Sequence, residues 1–130
     1  MYNSVWFNSL TKPFLNPPSK IFPPVWTILY ILIFVSLILF IFAKSDNPKY
    51  KGYLFFALQI LLNLLWSPVF FIRHNIGLSL FIIILLDIFV ILTIKNFYKS
   101  SKWAAILLVP YLLWILFATY LNFTYFILNY

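Results

Sequence analysis

Polar side chains inside long apolar runs carry most of the chemical information in this sequence. Gln59, Asn63 and Ser67 occur at steps of four, so they share one face of a helix. A polar stripe is penalised where it faces lipid, so we expect it to face the interior of a helix bundle. Two interpretations are open: hydrogen bonds that join helices, worth roughly 0.6 kcal/mol per contact, or one wall of a ligand or water-filled cavity.

A second stripe combines aromatic rings, one small residue and two amides at steps of three and four. Its members are Tyr111, Trp114, Ala118, Asn122, Tyr125 and Asn129. Tightly packed membrane helices prefer small residues at their contacts, whereas large aromatic rings with a few hydrogen-bonding groups resemble a small-molecule pocket. Core packing or an aromatic belt at the membrane surface is the other interpretation. Trp26 and Tyr30 are four residues apart, which fits a pair that caps such a pocket. Trp26 by itself also fits the aromatic belt at the membrane surface.

Asp87 is the one acidic residue inside an apolar run. An ionised, unpaired carboxylate there would be very costly, so we expect it to be neutral, paired or hydrated. A hydrogen-bonded aspartic acid is the simpler interpretation, and proton coupling is the functional one.

The sequence shows no carboxylate pair in the apolar runs, no Ser/His/Asp set and no phosphate loop. It also has no cysteine and a single histidine, His74. We therefore expect no conventional enzyme, no metal site and no bound cofactor.

The composition indicates a membrane protein. Of the 130 residues, 65% are hydrophobic and 8% are charged, whereas soluble domains are about half apolar and a quarter charged. The net charge of +7 comes from basic residues in short gaps between apolar runs. Lipid headgroups and topology explain that pattern better than nucleic acid, so we expect membrane lipid as a partner and no nucleic acid.

Four apolar runs are long enough to cross a bilayer. They predict an all-α membrane protein, a compact bundle of four transmembrane helices that forms a single transmembrane domain over 1–130. The predicted helices are α1 at about 24–43, α2 at 53–71, α3 at 76–94 and α4 at 103–128. Pro68 should bend the end of α2, and Pro110 should kink α4 near its start. Short loops make successive helices antiparallel. The proline-rich segment 1–23 cannot be one continuous helix.

Basic residues predict the orientation of the bundle. The loops 44–51 and 95–102 hold six lysines, and the opposite side holds Lys12, Lys20 and Arg73. Cytoplasmic loops carry the excess of Lys and Arg. We therefore expect the two lysine-rich loops in the cytoplasm and both termini on the opposite side.

Three motifs resemble the translocator protein family, also called the tryptophan-rich sensory protein or peripheral benzodiazepine receptor family. The first runs from Trp6-Phe7-Asn-Ser-Leu-Thr-Lys-Pro13 through Asn16-Pro-Pro18 to Phe22-Pro-Pro-Val-Trp26-Thr-Ile-Leu-Tyr30. The second is Leu58-Gln59 followed by Leu62-Asn63-Leu-Leu-Trp66-Ser67 and Phe70-Phe71. The third is Pro110-Tyr111-Leu-Leu-Trp114-Ile-Leu-Phe-Ala118-Thr-Tyr-Leu-Asn122. The resemblance covers about residue 6 to the C-terminus.

The resemblance also implies one difference in fold. The family has five spanning helices, and the first precedes the Trp–Lys–Pro segment, which begins here at Trp6. We therefore expect this chain to lack the family's first helix. Homodimerisation, or a tolerated open face, would then account for the surface that this helix protects.

The resemblance implies a membrane receptor or binding protein for porphyrins, the heme precursors, and for related hydrophobic aromatic or steroidal ligands. Such a protein would be a sensor or carrier in tetrapyrrole handling. The ligand-binding residues that it implies are Trp26, Tyr30, Asn63, Trp66, Phe70, Trp114, Ala118 and Asn122. The residues implied to form a lid are Phe7, Pro13, Pro17 and Pro18. Two alternatives are a proton-coupled small-molecule transporter that uses Asp87, and light-dependent porphyrin degradation.

Overall fold

A computed structural model describes residues 22–44, 48–73 and 75–129 of the chain. These residues form four helices that are long and apolar enough to cross a membrane. The helices are α1 (Phe22–Phe42), α2 (Tyr50–Ser67, continued by a π-helical turn at Pro68–Ile72), α3 (Ile76–Tyr98) and α4 (Lys102–Asn129). The three described ranges contain no strand. The predicted all-α bundle of four transmembrane helices is confirmed.

Two predictions lie outside the described residues. The lid positions Phe7, Pro13, Pro17 and Pro18 all precede Phe22, where the described chain begins. The expected absence of the family's first helix concerns the same region and stays a prediction.

Side chains close the ends of three helices. The Asn75 side chain accepts a hydrogen bond from the Leu78 amide at 2.9 Å at the start of α3. The Ser101 hydroxyl accepts one from the Ala104 amide at 3.2 Å at the start of α4. Lys49 donates to the Phe40 carbonyl at 2.8 Å, which places a cation at the C-terminus of α1. Each contact satisfies a backbone group that the helix itself leaves free.

Pro68 changes the helix type of α2 instead of only bending it. Proline has no N–H to donate and its ring crowds the preceding turn. The turn from Pro68 to Ile72 widens to a π-helix, in which the Arg73 amide donates to the Pro68 carbonyl at 3.0 Å. Pro110 lies inside α4, and the helix continues through it from Lys102 to Asn129.

Two of the helices, α2 and α3, extend further than their apolar runs alone predict. The first helical residue of α2 is Tyr50 rather than residue 53, and α3 continues to Tyr98 rather than ending at residue 94. The apolar run marks only the part inside the hydrocarbon, whereas helical hydrogen bonding continues into the headgroup layer. Long lysine and tyrosine side chains at such helix ends can keep their polar tips in the headgroup layer.

The bundle packs in the order α1, α4, α3, α2. The loop between α1 and α2 therefore connects helices that are not the main packing partners. Small residues lie where α1 meets α4: the buried Ser36 hydroxyl donates to the Ala104 carbonyl at 2.6 Å, and Ala105 is also buried. Small side chains let two membrane helices approach closely.

The two lysine-rich loops lie at one end of the bundle. The ring of Phe40 near the end of α1 stacks on Phe97 near the end of α3, with centroids 4.0 Å apart. Tyr53 near the start of α2 packs edge-on against Phe40 at 5.0 Å. The cavity described below lies toward the opposite end.

Large apolar side chains cover the outside of the bundle. Phe34, Leu64 and Leu113 are each 62% exposed. A water-soluble protein rarely exposes so continuous an apolar surface. The outer surface is therefore suited to contact with lipid chains.

Candidate functional site

A cavity of about 210 Å³ lies between the helices within their membrane-spanning parts. Every helix contributes to its wall. The lining residues are Trp26 and Tyr30 from α1, Asn63, Trp66 and Ser67 from α2, Ile83 and Leu86 from α3, and Ile115 from α4. We call it the aromatic cavity. It lies where α1 faces α2, the two consecutive helices that pack least against each other.

Aromatic contacts hold the α1 side of the cavity. The ring centroids of Trp26 and Tyr30 are 5.6 Å apart. Trp26 also meets Tyr111 and Trp114 of α4 edge-on, each at 6.4 Å. Edge-to-face pairs at these distances are favourable and fix the ring orientation. Trp114 therefore supports the cavity wall from behind and is not itself one of the lining residues.

Two further predicted residues hold Trp66 on the α2 side. The indole N–H of Trp66 donates to Asn122 Oδ1 at 2.8 Å. The Asn122 amide nitrogen donates in turn to the Ile76 carbonyl at 3.1 Å. The Phe70 ring lies 5.6 Å from the Trp66 ring. Asn122 thus links α2, α3 and α4 around one tryptophan.

Four polar side chains form a continuous hydrogen-bonded row from the cavity into the bundle. The Tyr30 hydroxyl donates to Asn63 Oδ1, and Asn63 Nδ2 donates to the Tyr111 hydroxyl at 2.9 Å. The Tyr111 hydroxyl donates to Gln59 Oε1 at 2.7 Å. Tyr111 and Gln59 are no more than 1% exposed. We call Tyr30, Asn63, Tyr111 and Gln59 the polar row.

The polar row bears on the two interpretations of the α2 stripe, which were hydrogen bonds between helices and one wall of a cavity. Gln59 and Asn63 do form hydrogen bonds between helices, as the first interpretation predicts. Asn63 and Ser67 also line the aromatic cavity, as the second predicts. The two interpretations therefore describe different members of one stripe, and Asn63 fits both.

The structure divides the predicted ligand-binding residues into two layers. Trp26, Tyr30, Asn63 and Trp66 line the aromatic cavity. Phe70, Trp114 and Asn122 lie behind them and contact the lining tryptophans. Ala118 is buried in the core on α4. Their role in binding a ligand stays a prediction.

Three apolar wall residues were missed by the sequence analysis. Ile83 and Leu86 come from α3, and Ile115 comes from α4. An isoleucine or leucine in a helix that is apolar on every side carries no signal about which neighbour it faces. Ser67 carried such a signal, because it lies four residues after Asn63. It was not among the ligand-binding residues that the family resemblance implied.

Asp87 lies in the core between α3 and α4. Thr119 of α4 donates to Asp87 Oδ2 at 2.7 Å. The other carboxyl oxygen, Oδ1, has no hydrogen-bond partner among the described residues. Asp87 is not among the residues that line the aromatic cavity. The simpler expectation of a hydrogen-bonded aspartic acid agrees with this geometry.

The comparison with known families identifies the chain. Residues 1–128 match the model of the TspO/MBR family. The chain belongs to the TspO/MBR family. Family membership confirms the resemblance that the three sequence motifs indicated.

Individual proteins similar to this TspO/MBR family member carry names that agree with the family match. The chain is 45% identical to the tryptophan-rich protein TspO of Chlorobaculum tepidum, over 97% of the chain and 80% of that protein. It is 38% identical to the tryptophan-rich sensory protein of Cereibacter sphaeroides, over 91% of the chain and 73% of that protein. It is 32% identical to the human translocator protein, over 91% of the chain and 71% of that protein. None of these relatives is named as an enzyme.

Proposed function

We propose that this TspO/MBR family member is a membrane receptor for porphyrins and related hydrophobic aromatic or steroidal ligands. The aromatic cavity is the binding site. The observation that carries the proposal is the wall itself, where two indole rings and a phenol meet one carboxamide inside a lipid-facing bundle. Flat apolar ligands with a few polar groups are the chemistry that such a wall recognises.

The size of the cavity indicates how a large ligand would sit. Sites for drug-sized molecules usually measure roughly 300–1,000 Å³, and the aromatic cavity measures about 210 Å³. A tetrapyrrole would therefore insert one edge, with the remainder of the macrocycle outside the walls that the described residues form. A compact two- or three-ring aromatic molecule would enter more completely.

The lining residues would divide the work of binding. Trp26 and Trp66 would bury the ligand's flat face, and Tyr30 and Asn63 would contact a polar group on it. The family resemblance also implied Asn122 as a ligand-binding residue. Both ends of its amide already bond to Trp66 and Ile76, so we assign it the positioning of the Trp66 ring instead.

Quenching of tryptophan fluorescence by protoporphyrin tests the proposal. In lipid nanodiscs we expect saturable quenching, and Trp66→Leu should weaken the apparent affinity about tenfold, equivalent to about 1.4 kcal/mol. Trp103→Leu is the matched control, because Trp103 is 66% exposed at the start of α4. It should leave the affinity unchanged. Quenching that does not saturate, or an equal loss in both variants, would contradict the proposal.

A proton-coupled transporter that uses Asp87 is the second candidate. The observation in its favour is the buried Oδ1 atom without a hydrogen-bond partner among the described residues. Uptake into proteoliposomes driven by a pH gradient separates the candidates. We expect Asp87→Asn to leave ligand binding unchanged, because its side-chain oxygen can still accept from Thr119. Ligand uptake that requires the gradient and is abolished in Asp87→Asn would favour the transporter.

Light-dependent porphyrin degradation is tested by its products. A receptor returns the bound porphyrin chemically unchanged. We therefore expect identical chromatograms for porphyrin recovered from the protein after dark and illuminated incubation, once the loss in protein-free liposomes is subtracted. Protein-dependent products in the light would assign an enzymatic activity as well.

A further inference from the structure

The polar row has a direction. All three of its hydrogen bonds point inward, from the Tyr30 hydroxyl through Asn63 and Tyr111 to Gln59 Oε1. Because Tyr30 uses its proton inward, its oxygen can only accept a hydrogen bond from a group in the cavity. At the buried end, Gln59 Nε2 has no hydrogen-bond partner among the described residues.

The same four side chains can support the opposite direction. Asn63 and Gln59 each carry an acceptor oxygen and a donor nitrogen on one rotatable amide. If both amides turn over, Gln59 Nε2 donates to Tyr111, Tyr111 donates to Asn63 Oδ1, and Asn63 Nδ2 donates to Tyr30. The Tyr30 proton then points into the cavity. Three hydrogen bonds exist in either direction, and each direction leaves part of the Gln59 amide without a partner.

We propose that the polar row is a reversible hydrogen-bond switch that lets Tyr30 either accept from or donate to the cavity ligand. Gln59 and Tyr111, which the ligand does not touch, are the positioning residues that keep both directions available. The inference rests on the proposed function, since it assigns the ligand's polar group to Tyr30. The ligand class that follows is planar aromatic molecules with either an N–H donor or a carbonyl acceptor at one edge.

A single substitution should lock the switch. In Gln59→Met the inward direction leaves the Tyr111 proton without an acceptor, whereas the outward direction leaves only a Tyr111 lone pair unused. An unsatisfied buried donor is the costlier of the two. The row should therefore point outward, with Tyr30 as a permanent donor. Methionine closely matches the length of glutamine and suits a lipid-surrounded core.

Tyr111→Phe tests whether Gln59 acts through the row. The hydroxyl of Tyr111 is the only described link between Gln59 and Asn63 in the row. Without it, Gln59→Met should have no further effect on ligand preference. A merely structural role for Gln59 would not depend on the Tyr111 hydroxyl, so this double-mutant cycle separates the two explanations.

Three planar tricyclic molecules of similar size serve as probes. Carbazole offers an N–H donor, fluorenone offers a carbonyl acceptor, and fluorene offers neither. Binding is measured as the saturable excess of each probe in proteoliposomes over protein-free liposomes of the same lipid. Wild type should bind carbazole and fluorenone more tightly than fluorene. Tyr30→Phe should reduce this preference without abolishing it, because Asn63 also lines the cavity.

The decisive quantity is the ratio of the carbazole and fluorenone dissociation constants. Gln59→Met should shift it about tenfold toward fluorenone, and the shift should vanish when Tyr111→Phe is also present. An unchanged ratio with intact binding overturns the switch and leaves the receptor proposal standing. So does saturable protoporphyrin binding without binding of any tricycle. Absence of saturable binding for every probe, protoporphyrin included, overturns both.

Discussion

At the scale of single residues, the polar groups of two aromatic side chains in the cavity wall are bonded to a partner from another helix. Trp66 is fixed by Asn122, and Tyr30 is fixed by Asn63. A hydrogen bond in the low-dielectric interior is electrostatically stronger than the same bond in water. The rings are therefore preorganised, and a ligand needs to order fewer side chains when it binds.

Asn122→Ala should weaken ligand binding, although we do not expect Asn122 itself to contact the ligand. The substitution removes the acceptor for the Trp66 indole N–H and lets that ring rotate. We expect the dissociation constant for protoporphyrin to rise about tenfold, which corresponds to about 1.4 kcal/mol. Titration of tryptophan fluorescence in nanodiscs measures it.

Thr124→Ala is the matched control on the same helix. Among the described residues, the hydroxyl of Thr124 donates to the Tyr120 carbonyl of its own helix, so its loss should not change affinity. An unchanged affinity in Asn122→Ala would show that the Trp66 orientation does not matter for binding.

At the scale of the helices, the sequence predicts spans well and rotational settings less well. Uninterrupted apolar runs predicted all four helices, because only a helix satisfies its backbone within lipid. Gln59 and Asn63 were correctly predicted to face inward. Their hydrogen bonds to Tyr111 were not predicted. Spacing within one helix does not specify the depth and rotation of another. Pro68 was recognised as a disturbance, but its resolution as a π-helical turn depends on packing that the sequence does not display.

Gly52→Ala should destabilise the lysine-rich end of the bundle. A Cβ at Gly52 would lie 2.6 Å from Phe40 Cζ, and Phe40 is stacked on Phe97 at 4.0 Å and cannot easily move away. Overpacking of this kind typically costs about 1–3 kcal/mol. That exceeds the gain of about 1 kcal/mol that alanine brings to a helix. The thermal unfolding midpoint in detergent should therefore fall.

Ala57→Leu provides the comparison on the same helix. Ala57 is exposed on the outer surface of α2, where a larger apolar side chain would meet lipid. Its unfolding midpoint should stay close to that of the wild type. If Gly52→Ala is as stable as the wild type, the close contact between Gly52 and Phe40 does not hold this end together.

At the scale of the whole molecule, the lysines lie at one end and the aromatic cavity lies toward the other. Contacts of Phe40 with Tyr53 and Phe97 bring the two lysine-rich loops together. The positive-inside rule then predicts that the cavity lies toward the non-cytoplasmic side of the membrane. Family membership supports the membrane location, and the orientation is a prediction.

Labelling with a membrane-impermeant maleimide tests the orientation. The chain has no cysteine, so a single introduced cysteine reports one position without background. Ser100→Cys, in the turn after α3, should be protected in intact cells and react after permeabilisation. Arg73→Cys, exposed beyond α2 at the other end, should react in intact cells. The reverse pattern would invert the predicted topology.

A ligand-bound structure tests the central claim most directly, namely that the aromatic cavity is the binding site. Crystals or cryo-EM particles prepared with protoporphyrin should show an edge of the macrocycle between α1 and α2, with Trp66 against its face and Tyr30 within hydrogen-bonding distance of a polar atom. Ligand density found only on the lipid-facing surface, with the cavity unchanged, would contradict the account.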